Sequence, residues 1–264
     1  MDLQLNGKVV LVTGSTAGIG FATARQFARE GALVVINGRT QARVDAAVRQ
    51  IQQDTANHAV SGIAANLGNA AGVESLLHAL PAVDVLINNL GTFEAKAFEA
   101  ITDADWLRMF EVNVMSGVRL ARAYLPHMRE KNWGRIVFVS SESAVNIPVE
   151  MIHYGMTKTA EVAIARGLAE SVAGTGITVN SVLAGPTASE GVTRFVAQLA
   201  AERGVDSKTM EREFFATARP SSLLKRFITP DEVANLIVYT ASPRAAATNG
   251  AALRVDGGVV RAVL

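Results

Sequence analysis

The sequence predicts an α/β fold, a doubly wound parallel sheet of seven strands with helices on both faces, formed as a single domain over residues 1–264. Two observations carry this reading. Short β-branched runs alternate with longer segments of helical period, the pattern of successive βαβ units. The first strand-like run is continuous in apolar character, as a strand covered on both faces is, and a composition of 49% hydrophobic against 19% charged residues supplies the material to cover it.

Taken in order, residues 9–13 read as the first strand and 18–30 as the first helix, with Ile19, Ala22, Phe27 and Ala28 among its apolar positions and Gly31 at its stop. A strand at 33–36, a helix at 41–54 built on Val44, Ala47, Val48 and Ile51, and a weaker strand at 60–64 come next. The alternation continues with a helix at 69–80, a strand at 83–87, one long helix at 103–130 and a strand at 135–140. After a loop come a helix at 154–172 and a strand at 178–183. Residues 187–229 break the rhythm, because two helix-like stretches, 192–203 and 207–219, have no strand between them. The segment reads as a lid inserted over a substrate pocket. Its Phe195, Leu199, Phe214, Phe215, Leu223, Leu224 and Phe227 are apolar enough to close over a ligand or to meet a neighbouring subunit. Pro230 followed by Asp231 and Glu232 opens a helix at 230–241, and residues 252–255 close the sheet.

Composition removes several function classes. With 25 Lys+Arg against 24 Asp+Glu the net charge is +1, so nucleic acid is not an expected partner. The basic residues between Arg119 and Arg135 are spaced as a solvated helix face. No cysteine is present, which removes disulfides, Cys-ligated metal centres and thiol nucleophiles; no metal site is expected. The apolar runs fall far short of the ~20 residues of a bilayer helix, and the first residues do not have the form of a signal peptide. The expectation is a cytoplasmic protein with no membrane partner.

Two constellations carry chemistry. Gly14-Ser15-Thr16-Ala17-Gly18-Ile19-Gly20 lies between the first strand and the first helix, where backbone amides at a helix N-terminus can face a pyrophosphate and glycines permit close approach. Tyr154 and Lys158 stand four apart on a predicted helix, so both side chains emerge on one face. Ser141 lies thirteen residues before Tyr154 at a strand end, and Asn113 is on the preceding helix.

The ordered set of Gly14 to Gly20, Asn88-Asn89-Leu90-Gly91, Asn113, Ser141, Tyr154, Lys158 and Val255-Asp256-Gly257-Gly258 resembles the short-chain dehydrogenase/reductase family over nearly the whole chain, including its 3-oxoacyl-carrier-protein reductase-like members. The resemblance implies a Rossmann fold and an NAD(P)-dependent oxidoreductase that interconverts a secondary alcohol and a ketone by hydride transfer. It implies Asn113, Ser141, Tyr154 and Lys158 as the catalytic set. Tyr154 is the general acid/base, its phenol lowered by neighbouring positive charge. Lys158, together with oxidised nicotinamide, supplies that charge, and Lys158 also bonds the nicotinamide ribose; Ser141 orients the substrate oxygen, and Asn113 holds a water that links Lys158 to solvent. The cofactor contacts it implies are Gly14, Ser15, Thr16, Gly18, Ile19, Gly20, Arg39, Asn66, Leu67, Asn88, Gly91, Tyr154, Lys158, Gly185, Pro186 and Thr187, with Ser189 competing with Thr187 for the carboxamide.

The second strand ends Asn37-Gly38-Arg39, with glycine where an acidic residue would select NAD and an arginine fork able to meet a phosphate. NADP(H) is therefore the preferred cofactor and NAD(H) the alternative. Closeness to Ser141 and Tyr154 in sequence nominates Ser143, Asn146, Ile147, Met151 and Pro186 for the substrate pocket, with Glu142 and Glu150 adding polarity at its mouth. The expected partner is a small carbonyl or alcohol. An oxoacyl thioester, a sugar or polyol, and a steroid-type substrate all stay open. A carrier protein would need Arg119, Arg122, Arg129 and Lys131 on the pocket rim. A non-catalytic dinucleotide sensor is the reading from another class, and the presence of Ser141, Tyr154 and Lys158 weighs against it. The apolar helices at 107–128 and 159–172 point to a homotetramer or homodimer with two-fold contacts.

Overall fold

The computed structural model describes residues 1–263; within that range the side chains at 194, 195, 198, 199 and 202 lie outside the described part, and with them the lid positions Phe195 and Leu199. Seven strands form one sheet: β1 (Val9–Val12), β2 (Leu33–Gly38), β3 (Val60–Ala64), β4 (Val85–Asn88), β5 (Gly134–Ser141), β6 (Ile177–Ala184) and β7 (Ala252–Val255). Every pairing is parallel and the spatial order is β3-β2-β1-β4-β5-β6-β7.

The continuous apolar runs are explained by what each face meets. Along β1, Val10 and Val12 enter one core and Leu11 the other, because successive strand side chains point to opposite faces. The first core packs against α1 (Gly18–Arg29), α2 (Gln41–Thr55) and α9 (Pro230–Thr240), through Phe27, Ile51 and Ile237. The second packs against α3 (Ala70–Ala79), α5 (Ser116–Glu130) and α6 (Ile152–Ser171), through Leu76, Tyr124 and Ala165. A strand sandwiched in this way has no polar face to alternate with.

The long helix expected at 103–130 is not continuous. It divides into α4 (Asp103–Phe110), one π turn (Glu111–Met115) and α5. The π turn sits where the helix crosses α6, and it buries Asn113 and Val114. The other elements begin and end within two residues of the sequence reading, including α7 (Glu190–Arg203) and α8 (Ser207–Thr217).

The segment from 187 to 229 is closed at its base by a parallel bridge between Thr187 and Ile228. Phe214, Phe215 and Phe227 form a cluster of their own, with ring centroids 5.1 Å apart. Of the apolar residues expected to close over a ligand, Leu223 and Leu224 remain exposed.

One expectation about charge is overturned. Arg135 is not on a solvated face; it is 2% exposed, stacks on Trp133 and donates to the carbonyls of Gly134 and Gly176 at 2.8 Å. It begins a central strand rather than continuing the helix, and it closes the carbonyls at that edge of the sheet. Arg129 and Lys131 likewise bond Ser171 and Asp84, at the end of α6 and the start of β4. That places them at the edge opposite Tyr154, so they do not form a rim around its pocket.

Candidate active site

From β1 the chain passes to β2 on one side and later enters β4 on the other, so a cleft opens at the C-terminal ends of β1 and β4. The turn after β1, the segment after β4, the end of β5 and the first half of α6 meet there.

Gly14 and Gly18 have φ of +59° and +58°, and a Cβ on Gly20 would lie 2.4 Å from the Asn89 amide nitrogen and 2.6 Å from the Gly14 carbonyl. The first amides of α1 have no side-chain cap from Ala17, and the first turn carries no acidic residue. Open N–H groups over a cradle that a Cβ would fill suit an anionic pyrophosphate. Ser15 does not face that cradle. Its hydroxyl is buried, donates to the Val12 carbonyl at 2.6 Å and accepts from Asn37 N–H at 3.0 Å, which holds the turn to the sheet.

Three residues assigned no role of their own from the sequence shape this turn. The Asn37 amide oxygen accepts from Gly14 N–H at 3.3 Å while its nitrogen donates to Ile63 and Ala65. The Asn89 amide donates to the carbonyls of Thr13 and Gly14 at 2.9 and 3.1 Å. The Thr13 hydroxyl accepts from the Asn89 and Leu90 backbone N–H groups, both at 2.9 Å. The available signal was polar residues at the ends of apolar strands, where a side chain can satisfy backbone groups that the ladder leaves open.

At the end of β2, a Cβ on Gly38 would meet the Thr16 methyl at 2.5 Å, so Thr16 covers that strand end. Arg39 follows, exposed and without an ion pair among the described residues. Asn66 is exposed and accepts from Gly68 N–H. Leu67 does not offer its side chain to a ligand: it is 1% exposed and fills the core beneath α3. Asn88 is buried, and neither amide atom has a hydrogen-bond partner among the described residues. Gly91 lies over the next cluster, since a Cβ there would stand 3.4 Å from Lys158 Nζ.

Tyr154 and Lys158 stand on the first turns of α6, with the ammonium 5.8 Å from the phenol ring centre. The Tyr154 phenol is not lowered in this setting. Burial raises it, and the opposing effects of Lys158 and Ser141 do not outweigh that; Glu161 and Glu142 push it further up. The cluster thus holds a protonated phenol, a proton donor. Lys158 Nζ donates to the Val139 carbonyl at 3.0 Å and to both carboxylate oxygens of Glu161. Burial disfavours its ammonium, but Glu161 and Tyr154 hold it above the ordinary lysine value.

Ser141 and Ser140 take different parts. Ser140 donates to the Lys158 carbonyl at 2.8 Å, whereas Ser141 ends β5 beside Tyr154 and accepts from Ser143 N–H. Asn113 is buried on the π turn beside this cluster. Its amide accepts from Thr92 N–H and donates to the Thr92 carbonyl and the Thr157 hydroxyl at 2.8, 2.9 and 3.0 Å. A side chain so engaged braces the loop after β4 against α6, and it makes no hydrogen bond to Lys158. Thr187 donates to the Gly185 carbonyl, while Ser189 caps α7; a Cβ on Gly185 would collide with the Asp256 backbone. The turn through Pro186 is closed by Ile228, whose N–H donates to the Pro186 carbonyl at 3.0 Å.

Around Tyr154, Ser143 is buried, Met151 and Pro186 are half-buried, and Asn146 and Ile147 are exposed. Phe93, absent from the sequence reading, meets the Tyr154 ring edge-on at 6.2 Å and is itself 59% exposed. Glu142 does not add polarity at a mouth. It is 2% exposed and paired with Arg219 at 2.7 Å, with Glu150 3.7 Å from the same guanidinium. His153 is fully buried against Trp106, and both its ring nitrogens lack a hydrogen-bond partner among the described residues.

A family model described as short chain dehydrogenase matches residues 8–200. The oxidoreductase YvrD of Bacillus subtilis is 47% identical over 266 residues, covering 100% of both chains. D-beta-hydroxybutyrate dehydrogenase of Cupriavidus necator is 32% identical, over 97% of this chain and 99% of that one. Among solved structures, L-sorbose reductase of Gluconobacter frateurii, complexed with NADPH and L-sorbose, is similar over 100% of both chains, with a TM-score of 0.92 at 32% identity.

Proposed function

The chain belongs to the short-chain dehydrogenase/reductase family, an oxidoreductase that interconverts a secondary alcohol and a ketone with a nicotinamide cofactor, and on that premise we propose that it works as an NADPH-dependent ketone reductase with Tyr154 as its proton donor. The observation that carries the proposal is the Tyr154 phenol with the Lys158 ammonium 5.8 Å from its ring centre, in the same cleft as the uncapped start of α1.

The bound nicotinamide supplies the hydride. As the carbonyl oxygen gains negative charge, the Tyr154 hydroxyl gives it a proton, and the Lys158 ammonium stabilises the phenolate left behind. Ser141 orients the carbonyl oxygen from the end of β5. The amides of Gly18, Ile19 and Gly20 receive the pyrophosphate, and Gly14 and Thr16 shape the turn beside it. Arg39, exposed and without an ion pair among the described residues, meets the 2′-phosphate of NADP(H) through its planar fork. Asn66, Asn88, Gly91, Gly185, Pro186 and Thr187 line the remainder of the cofactor path.

Residues 187–229 are the lid of this reading, anchored by Arg219, and the whole chain works as one domain. Its substrate is a small carbonyl compound held among Ser143, Asn146, Ile147, Met151 and Pro186. Leu107 and Phe110, exposed on α4, support a homotetramer built on the 107–128 and 159–172 helices. The cytoplasm, which holds a nicotinamide pool, is the proposed compartment.

The test is Tyr154→Phe, which removes only the hydroxyl. Reduction of a panel of ketones, followed by loss of reduced-nicotinamide absorbance, should fall by about 100-fold or more while NADPH still binds. Turnover unchanged in the variant would end this reading.

A further inference from the structure

The Lys158 ammonium is held by the Val139 carbonyl at 3.0 Å and by both oxygens of Glu161 at 3.0 and 3.1 Å. Glu161 is three residues further along α6 and 2% exposed, so water does not screen its charge. Proton transfer from a phenol asks for positive charge beside the ring, and a carboxylate here offsets part of it. Such a group is tolerated in a core only when it is paired, and the residue it pairs with is the one on which the reaction depends.

We propose that Glu161 is a positioning residue for the reaction: paired to Lys158 through both carboxylate oxygens, it holds the ammonium turned inward beneath Tyr154, and its negative charge offsets part of the positive charge that Lys158 presents to the phenol. The inference rests on the reading of Tyr154 as proton donor.

Few charged groups surround this cluster. Lys158 and Tyr154 share the helix with Glu161, and Glu142 acts on Tyr154 from the turn after β5. β5 contributes the Val139 carbonyl and the Ser140 and Ser141 hydroxyls, and the π turn contributes the neutral amide of Asn113, while its Glu111 is paired with Arg119. Burial pushes the Glu161 carboxyl up to about 7, against the downward pull of Lys158. Its charge therefore changes in the neutral range. Ionised, it stabilises the ammonium and opposes the phenolate; protonated, it leaves the full charge of Lys158 to act on Tyr154.

Glu161→Gln keeps the side-chain shape and an acceptor oxygen and removes the charge. The chain has three tyrosines, so the tyrosinate absorbance of the cofactor-free protein, less that of Tyr154→Phe, isolates the Tyr154 titration. In Glu161→Gln that titration should move to lower pH by about one unit. The acid limb of alcohol oxidation, which needs the phenolate as base, should move in the same direction in the pH profile of kcat/KM. Glu161→Asp retains the charge and should stay close to the unmodified protein. An unshifted Tyr154 titration in the Gln variant overturns the inference, as does an equal shift in the Asp variant. Should the Gln variant fail to fold, infrared titration of the unmodified protein against the Asp variant decides: a carboxyl band that titrates in the neutral range and is displaced in the Asp variant supports the proposal, and its absence overturns it. Loss of activity in Tyr154→Phe together with an unshifted Gln variant removes this inference alone, whereas full activity in Tyr154→Phe removes the reading beneath it.

Discussion

Replacing Arg219 by methionine leaves Glu142 as a buried carboxylate without its counter-charge. The two side chains are 8% and 3% exposed and meet at 2.7 Å, so solvent contributes little screening. For charge centres about 4 Å apart at an effective dielectric of about 20, the attraction is about 4 kcal/mol, and breaking one side of a buried pair costs about 3–5 kcal/mol. Glu142 can escape by taking up a proton. Burial already raises its carboxyl in the intact pair and Arg219 pulls it down, so the variant raises it further. A carboxyl raised in the folded state binds its proton more tightly there than in the unfolded chain. The stability it allows is present below the unfolded value and is lost as pH rises through the folded one. Arg219→Met should therefore lose about 3–5 kcal/mol in mildly alkaline buffer, roughly 6–10 °C of melting temperature for a chain of this size, and lose less in acid. Circular dichroism melts at matched protein concentration measure it, with Glu142→Gln/Arg219→Met as the neutral pair that should recover most of the loss. An unchanged melting temperature in alkaline buffer, or an equal loss in acid, would refute the reasoning.

Gly20→Ala places a methyl against the Asn89 amide and the Gly14 carbonyl, which are backbone and a bonded side chain and cannot swing aside. Overpacking of this kind costs about 1–3 kcal/mol, so NADPH affinity by fluorescence titration should fall by about tenfold or more, and equal affinity would count against the cradle. Arg39→Asp should weaken NADPH by roughly tenfold or more and favour NADH, because a carboxylate repels the 2′-phosphate and accepts from a 2′-hydroxyl; a preserved preference would move phosphate recognition elsewhere. Light scattering should give a mass above the 27.9 kDa of one chain, and a monomer at micromolar concentration would contradict the assembly proposed on α4, α5 and α6.

What was legible in the sequence is what local pattern controls. The inner strands β1, β2 and β4 announce themselves because a strand covered on both faces is apolar along most of its length, whereas the edge strands β3 and β7, partly open and carrying Ser61 and Arg254, are legible from the alternation around them; the start of α1 is legible because few residues other than glycine fit a turn packed against Asn89. Tyr154 and Lys158 were legible as neighbours on one helical face. The rest depends on chain segments far apart. Nothing near Arg135 in sequence says that the carbonyl of Gly176, 41 residues on, will receive its guanidinium. Glu142 and Arg219, 77 residues apart, look like two surface charges until the fold buries them together. Asn113 matched a motif position, but which groups its amide would meet depended on how the loop after β4 and α6 came together around it. For Tyr154, the protein's own groups raise the phenol by burial more than Lys158 lowers it, a balance that no local pattern of residues displays.

The π turn at Glu111–Met115 gives its helical segment room for one residue more than a regular helix of the same sweep would hold. A π turn is wider than an α turn, so the extra residue is taken up locally and α4 and α5 keep nearly the phase of one regular helix on either side. Deleting a single residue between 111 and 115 should therefore restore an α turn with Met109 and Leu120 still close to their present directions. What such a deletion disturbs is the amide of Asn113, which joins Thr92 to Thr157. This stretch should therefore tolerate a change of length better than the loss of that one side chain.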